Sequence, residues 1–231
     1  MNNRIINNFI EGNFIINEIE KNSDLYIYYN NIKEYNYKFF SYSEILDIIK
    51  ESSKTLLYRN IIKNININLY SSIGKIHGIN HIIRCSFYVL IISIIENITE
   101  RDFEITLISI LYHDVGRIND MDDDYHGYNA VSRLQFLKEK YNDDDYNMIC
   151  GIIVSHCLDD SEYLDVASEF NITDIKRFYK LLSIVKDADG LDRVREYPYT
   201  DINYLRINSS KRLLKLSCEL FYNFDANNSG L

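Results

Sequence analysis

The five histidines of this chain stand at positions 77, 81, 113, 126 and 156, all within one segment of its 231 residues. His113 is followed directly by Asp114, in the run Ile110-Leu111-Tyr112-His113-Asp114-Val115-Gly116-Arg117. A second acid-bearing run, Lys186-Asp187-Ala188-Asp189-Gly190-Leu191-Asp192-Arg193, lies farther along. Imidazole is the commonest metal ligand among side chains, and carboxylate is its usual hard companion. A histidine supply spent in one segment with acids attached reads most simply as a metal centre. Three or four such ligands would leave coordination positions open for water and substrate. Water on such an ion has its pKa drawn toward neutrality, which supplies a hydroxide nucleophile.

The elements that must position these residues read as helices. One proline, Pro198, and few glycines interrupt the chain, and apolar residues recur at three- and four-residue spacing almost throughout. Residues 4–20 read as one helix, and Ser43 as the N-cap of another running to about Ile62. Residues 64–76 form a loop, and a long helix over 77–97 carries His81. Thr99, with Asp102 three residues on, resembles a capping box opening a helix that reaches His113-Asp114. Neighbours at a helix end diverge by about 100°, so this pair can bracket one ion. Gly116 ends that helix, and Asn119 to Tyr125 is an acidic, solvated loop lacking the spacing and terminal Glu of a calcium-binding loop. Further helices are expected at 127–140, 143–157, 173–195 and 209–222. The stretch Leu25 to Phe40 alternates weakly, as a strand would. The fold class is all-α, a single bundle with an N-terminal helical extension.

Composition sets bounds on partners. A formal charge of −9 argues against nonspecific binding to nucleic acid or anionic lipid, both of which need a basic patch. An anionic substrate therefore needs local cations or a metal. Cys85, Cys150, Cys157 and Cys218 show no C-x-x-C spacing and read as small buried core residues in a reducing compartment. No signal peptide is evident, and the longest apolar run, Phe87 to Ile95, is too short to span a bilayer. The expectation is a cytoplasmic protein without a membrane partner; no feature sets an oligomeric state. The H-E-x-x-H, G-x-S-x-G, G-x-x-x-x-G-K and zinc-deaminase signatures are all absent.

The order His81-x-x-Arg84, His113-Asp114, Asp189 resembles that of the HD-domain superfamily of metal-dependent phosphohydrolases. The chain is also similar to the larger-site branch of that superfamily, with His126 and His156 as its two added histidines. The resemblance covers about residues 75–195. The first 70 and last 30 residues lie outside it, and the expected division is an N-terminal helical extension over 1–70 that could cover the pocket, an HD core over 71–200, and a C-terminal helix over 201–231 packed on the core. The resemblance implies one ion held by His81, His113, Asp114 and Asp189, and a second held by His126 and His156, with Asp114 bridging. The cofactor is then a divalent metal, one or two ions drawn from Mn, Fe, Co, Ni, Mg or Zn. The small-residue, Asp, x, Leu pattern favours Asp189 over Asp187 as the last ligand, leaving Asp187 and Asp192 as supporting acids.

The activity implied is cleavage of a phosphate ester by metal-activated hydroxide, on a nucleotide or another small anionic phosphorylated metabolite. Arg117 stands where the family often has a basic side chain, as a fork for a phosphate oxygen or a partner for the acidic loop at 120–124. His77 is a candidate for substrate contact or proton transfer. Arg84 is expected to be structural, and Lys75, Arg193 and Arg195 are weaker phosphate candidates. His156 has a bland alternative as a hydrogen-bonded core histidine. His156 is followed by Cys157-Leu158-Asp159-Asp160 where cyclic-dinucleotide phosphodiesterases carry Gly-Tyr-Pro, and Val115-Gly116-Arg117 lacks the acids of the alarmone hydrolases. Two other readings are a ligand-sensing module on the HD scaffold and a di-iron HD oxygenase.

Overall fold

The computed structural model describes residues 8, 10–13, 16–21, 23–32, 34–70, 76–121, 123–196 and 199–228. Among them stand ten α-helices, joined by turns and short 3-10 segments, with no strand. The centre is α4 (Ile79–Ile95), apolar on every face and buried from His81 to Ser93, as a helix surrounded by others must be. Packed with it are α5 (Glu100–Tyr112) and α9 (Ile175–Asp192), and α7 (Asp143–Ser155) packs against both of these. Their starts are fixed locally. Thr99 caps α5 by accepting from Asp102 N at 3.1 Å, and Asn142 caps α7 by accepting from Asp145 N at 3.0 Å. Each cap satisfies an amide that would otherwise have no partner.

The short helix α6 (His126–Arg133) lies on α7, and two glycines permit its approach. A Cβ on Gly127 would stand 2.7 Å from the Ile153 carbonyl of α7, and one on Gly116 would stand 2.0 Å from the His126 carbonyl. Between α7 and α9, α8 (Tyr163–Glu169) fills a stretch for which the periodicity announces no helix. On the other side, α10 (Asn208–Asn228) packs against α4 and α9. The helices α2 (Tyr42–Lys50) and α3 (Ser53–Lys63) lie against α4, with α3 also on α5, and α1 (Asp24–Ile32) lies on α10.

Several local expectations are corrected. The single helix from Ser43 to Ile62 is two. The capping box begins at Ser41, whose Oγ accepts from Glu44 N while Glu44 accepts from Ser41 N, because the Glu stands three residues after Ser41. The chain breaks at Glu51, where Ser52 caps α3 and Thr55 donates to the Ile49 carbonyl at 2.7 Å. The strand-like stretch 25–40 is helical over Asp24–Ile32, where Leu25 and Ile32 are buried together and Tyr29 donates to Glu219 on α10 at 2.7 Å. Tertiary contact here overrides weak alternation. The helix expected over 4–20 falls partly outside the described residues, and 16–20 are not helical. Asn223 of α10 holds that segment, accepting from Asn17 N at 2.6 Å and donating to its carbonyl at 3.1 Å. The helix expected over 127–140 ends at Arg133 and continues as a 3-10 turn over Gln135–Glu139. No helix among the described residues is long and apolar enough to cross a membrane.

Candidate metal centre

The bundle brings His81, His113, Asp114, His126, His156 and Asp189 to one place. His81 is the third residue of α4, in its first turn, His113 and Asp114 follow the last residue of α5, His126 opens α6, His156 follows the last residue of α7, and Asp189 lies near the end of α9. Five elements thus meet with their chemistry-bearing ends together. Asp114 sits at the middle, 1% exposed. Its Oδ2 is 3.2 Å from His113 Nε2 and 3.4 Å from His81 Nε2. Its Oδ1 is 3.3 Å from His126 Nε2 and 3.8 Å from His156 Nε2. Asp189 Oδ1 joins the first group, 3.4 Å from His81 Nε2 and 3.8 Å from His113 Nε2.

Tautomers decide whether a cation fits this nest. His113 Nδ1 lies 2.7 Å from the Ile110 carbonyl, and the Nδ1 atoms of His126 and His156 face the carbonyls of Asp123 and Ile153. A carbonyl only accepts, so Nδ1 donates in each ring and Nε2 is left as a lone pair. His81 follows suit, its Nδ1 donating to Asp192 Oδ2 at 2.8 Å. The lone pairs then converge: Nε2 of His126 and His156 are 2.8 Å apart, and those of His81 and His113 are 3.3 Å apart. Asp114 Oδ2 is buried beside them with no hydrogen bond. Lone pairs and a carboxylate at such range repel unless positive charge stands among them. The donor set fits divalent cations, with nitrogen and oxygen ligands in two groups that share Asp114.

The electrostatics describe the same demand. Burial alone would raise the Asp114 pKa, but His113, His126 and His156 hold it well below the usual carboxylate range. Burial opposes a proton on His126, but Asp114 and Cys157 outweigh it and the pKa rises to about 10. Its partner His156 is driven the other way by burial, to about 4.

The surrounding residues sort themselves. Asp192, fully buried, accepts from His81 and also from Arg84, at 2.6 Å from Nε and 3.0 Å from Nη2. A carboxylate that holds the far nitrogen of a ligating histidine fixes its tautomer and raises its basicity. Cys85 also stands near His81 and Asp192. However, burial pushes its thiol pKa well up and Arg84 already neutralises Asp192, so this group buttresses His81. Asp187, the competitor of Asp189, points elsewhere. Its carboxylate accepts from Arg206 N at 2.9 Å and Ile207 N at 2.8 Å, and so anchors the entry to α10.

Arg117 pairs with Asp114 rather than with the acidic loop. Its Nε donates to Asp114 Oδ1 at 2.7 Å and its Nη1 to the Met121 carbonyl at 3.1 Å; no acid of the 120–124 loop pairs with it among the described residues. His77 precedes α4, its Nδ1 3.0 Å from Asp120 Oδ1 and its ring edge-on to His81. Asp120 is a partner that sequence spacing does not announce. Arg84 is structural, as expected, through Asp192. Lys75 lies outside the described residues. The expectation of four buried cysteines holds for Cys85, Cys150 and Cys218, whereas Cys157 is partly exposed, because α7 has ended two residues earlier.

A cleft of about 700 Å³ opens from His156 and Asp189, walled by Lys186, Arg193, Tyr204 and Arg206 among others. Lys186 and Arg206 are held by Asp160, at 2.6 and 2.7 Å, while Arg193 is exposed. A second cavity, of about 610 Å³, beside Glu96, Lys180 and Ile207, contains none of the candidate ligands.

Residues 78–194 match the family model of the HD domain, and the chain belongs to the HD-domain family. HD domains bind divalent metals, and most are metal-dependent phosphohydrolases, so hydrolase chemistry in general is what membership implies here. Comparisons with curated proteins and with solved structures return no match.

Proposed function

We propose that this chain is a metal-dependent phosphohydrolase that cleaves a phosphate ester, mono- or diester, of a nucleotide or another small phosphorylated metabolite. The observation that carries the reading is the division of Asp114 between two histidine pairs, one carboxylate oxygen to each. His81, His113, Asp114 and Asp189 would hold one ion, and His126 and His156 a second, with Asp114 shared. When bound, divalent ions supply Lewis-acid activation of water and of the phosphoryl oxygen.

The chain's own residues do the rest. Asp192 holds the His81 ring in the ligating tautomer. Arg117 fixes the Asp114 carboxylate through Nε and keeps guanidinium charge beside it for a phosphate oxygen. His77, backed by Asp120, stands next to His81 for substrate contact or proton transfer. The cleft beyond His156 and Asp189 receives the remainder of the substrate. Arg193 there supplies positive charge against an overall −9.

The test pairs metal content by mass spectrometry with phosphate release from a panel of nucleotides and sugar phosphates. The expected result is two ions per chain and metal-dependent release, both lost in Asp114→Ala. Full metal content and release in His113→Ala would overturn the reading. Oxygen consumption by the iron-loaded protein, without phosphate release, would point to oxygenase chemistry instead.

A further inference from the structure

We infer that Cys157 is an additional donor to the His126–His156 ion, making that half of the centre a thiolate-bearing site for a borderline-soft divalent cation such as zinc or cobalt. The inference rests on the metal-dependent reading above and goes beyond it by naming a ligand and the class of ion it selects.

Placement is the first support. Ligand atoms of His126, His156 and Cys157 all lie within 4.8 Å of one another. The thiol is held by the same two elements that carry the histidines, donating at 3.3 Å to the Asp124 carbonyl before α6 and approaching the Val154 carbonyl of α7 at 3.5 Å. The facing Nε2 lone pairs, 2.8 Å apart, with Asp114 Oδ1 at 3.3 Å from His126 Nε2 and 3.8 Å from His156 Nε2, independently call for a cation beside it.

Charge is the second. Asp114 is shared between the two halves and also accepts from Arg117, so a Cys157 thiolate adds negative charge that the His126–His156 pair otherwise lacks against a divalent ion. The chemistry is proton-coupled and free of redox. The S–H bond breaks, its proton leaves sulfur and the hydrogen bond to the Asp124 carbonyl for solvent, and a sulfur–metal bond forms. Thiolate and imidazole together favour zinc or cobalt, whereas carboxylate and water suit magnesium and manganese. The second ion should therefore be the more thiophilic of the two.

Cobalt(II) is the probe, added to the metal-stripped full chain. The d–d absorbance reports binding of any kind, and a near-ultraviolet sulfur-to-cobalt charge-transfer band reports the thiolate. The band is expected with the wild type and absent in Cys157→Ser, which should also lose about tenfold or more in affinity for one equivalent only. Cys157 is the one cysteine of the four that is not buried, so thiol labelling of the native protein reads it alone, and bound cobalt should slow that labelling about tenfold. Two equivalents bound with no charge-transfer band and unchanged labelling would overturn the role of Cys157 and leave the two-ion reading standing. No cobalt uptake at all would remove both.

Discussion

Taking the carboxylate from Asp114 withdraws an oxygen from each histidine pair at once, so its loss should cost both ions rather than one. Asp192 acts at one remove, through His81. Asp192→Asn should weaken metal binding by roughly 10- to 100-fold, read by competition with a chelator. It also leaves Arg84 buried without its charge partner, so denaturant unfolding should show a loss of about 3 kcal/mol. Metal affinity that did not change would show that Asp192 merely pairs helices. His77→Ala separates its two candidate roles. If the ring passes a proton to the departing oxygen, the loss of activity grows from p-nitrophenyl to alkyl phosphate esters, by roughly 100-fold at the poor end. If it only touches substrate, the loss is uniform and lies in KM. The sequence singles out all these residues, but the pairing of His77 with Asp120 joins positions separated by α4 and α5 and is visible only in three dimensions.

The elements carry the site by their ends. The candidate ligands carried by α5, α6 and α7 stand at helix termini, where the backbone turns and side chains of different helices can converge. The dock of α6 on α7 sets the distance between His126 and His156, and Gly127 lets the backbones meet. Gly127→Ala, with its Cβ 2.7 Å from the Ile153 carbonyl, should cost about 1–3 kcal/mol by overpacking. It should also lower the affinity for one metal equivalent while sparing the other, measured by calorimetric titration. Equal weakening of both ions would show that α6 does not control its half-site separately. Helix existence was legible from the apolar spacing of α4, α5, α7, α9 and α10. Breaks such as that at Glu51 were not, because two adjacent serines compete as caps and packing selects between them.

At the scale of the molecule, ion pairs tie distant segments around the cleft. Asp160 accepts from Lys186 at 2.6 Å and from Arg206 at 2.7 Å, joining α9 to the entry of α10. Burial alone would raise its pKa, but Arg206 and Lys186 outweigh it and hold the carboxyl below its usual range. A depressed folded-state pKa means stability that is present above the ordinary carboxylate pKa and lost as pH falls through the depressed value. Asp160 is half exposed, so solvent screening limits the contribution to about 1 kcal/mol. Asp160→Asn should accordingly lower Tm at neutral pH, and the gap should close in acid; a gap constant with pH would refute the ionic account. By itself the sequence determined an all-α chain, the six candidate ligands and their family order, because helical periodicity and ligand chemistry are properties of residue type and spacing. Only the tertiary structure decided that Asp189 and not Asp187 faces the histidines, that Arg117 holds Asp114, and that Cys157 stands near His126 and His156. Those outcomes depend on how five helix ends meet, and spacing along one chain does not encode the distance between two.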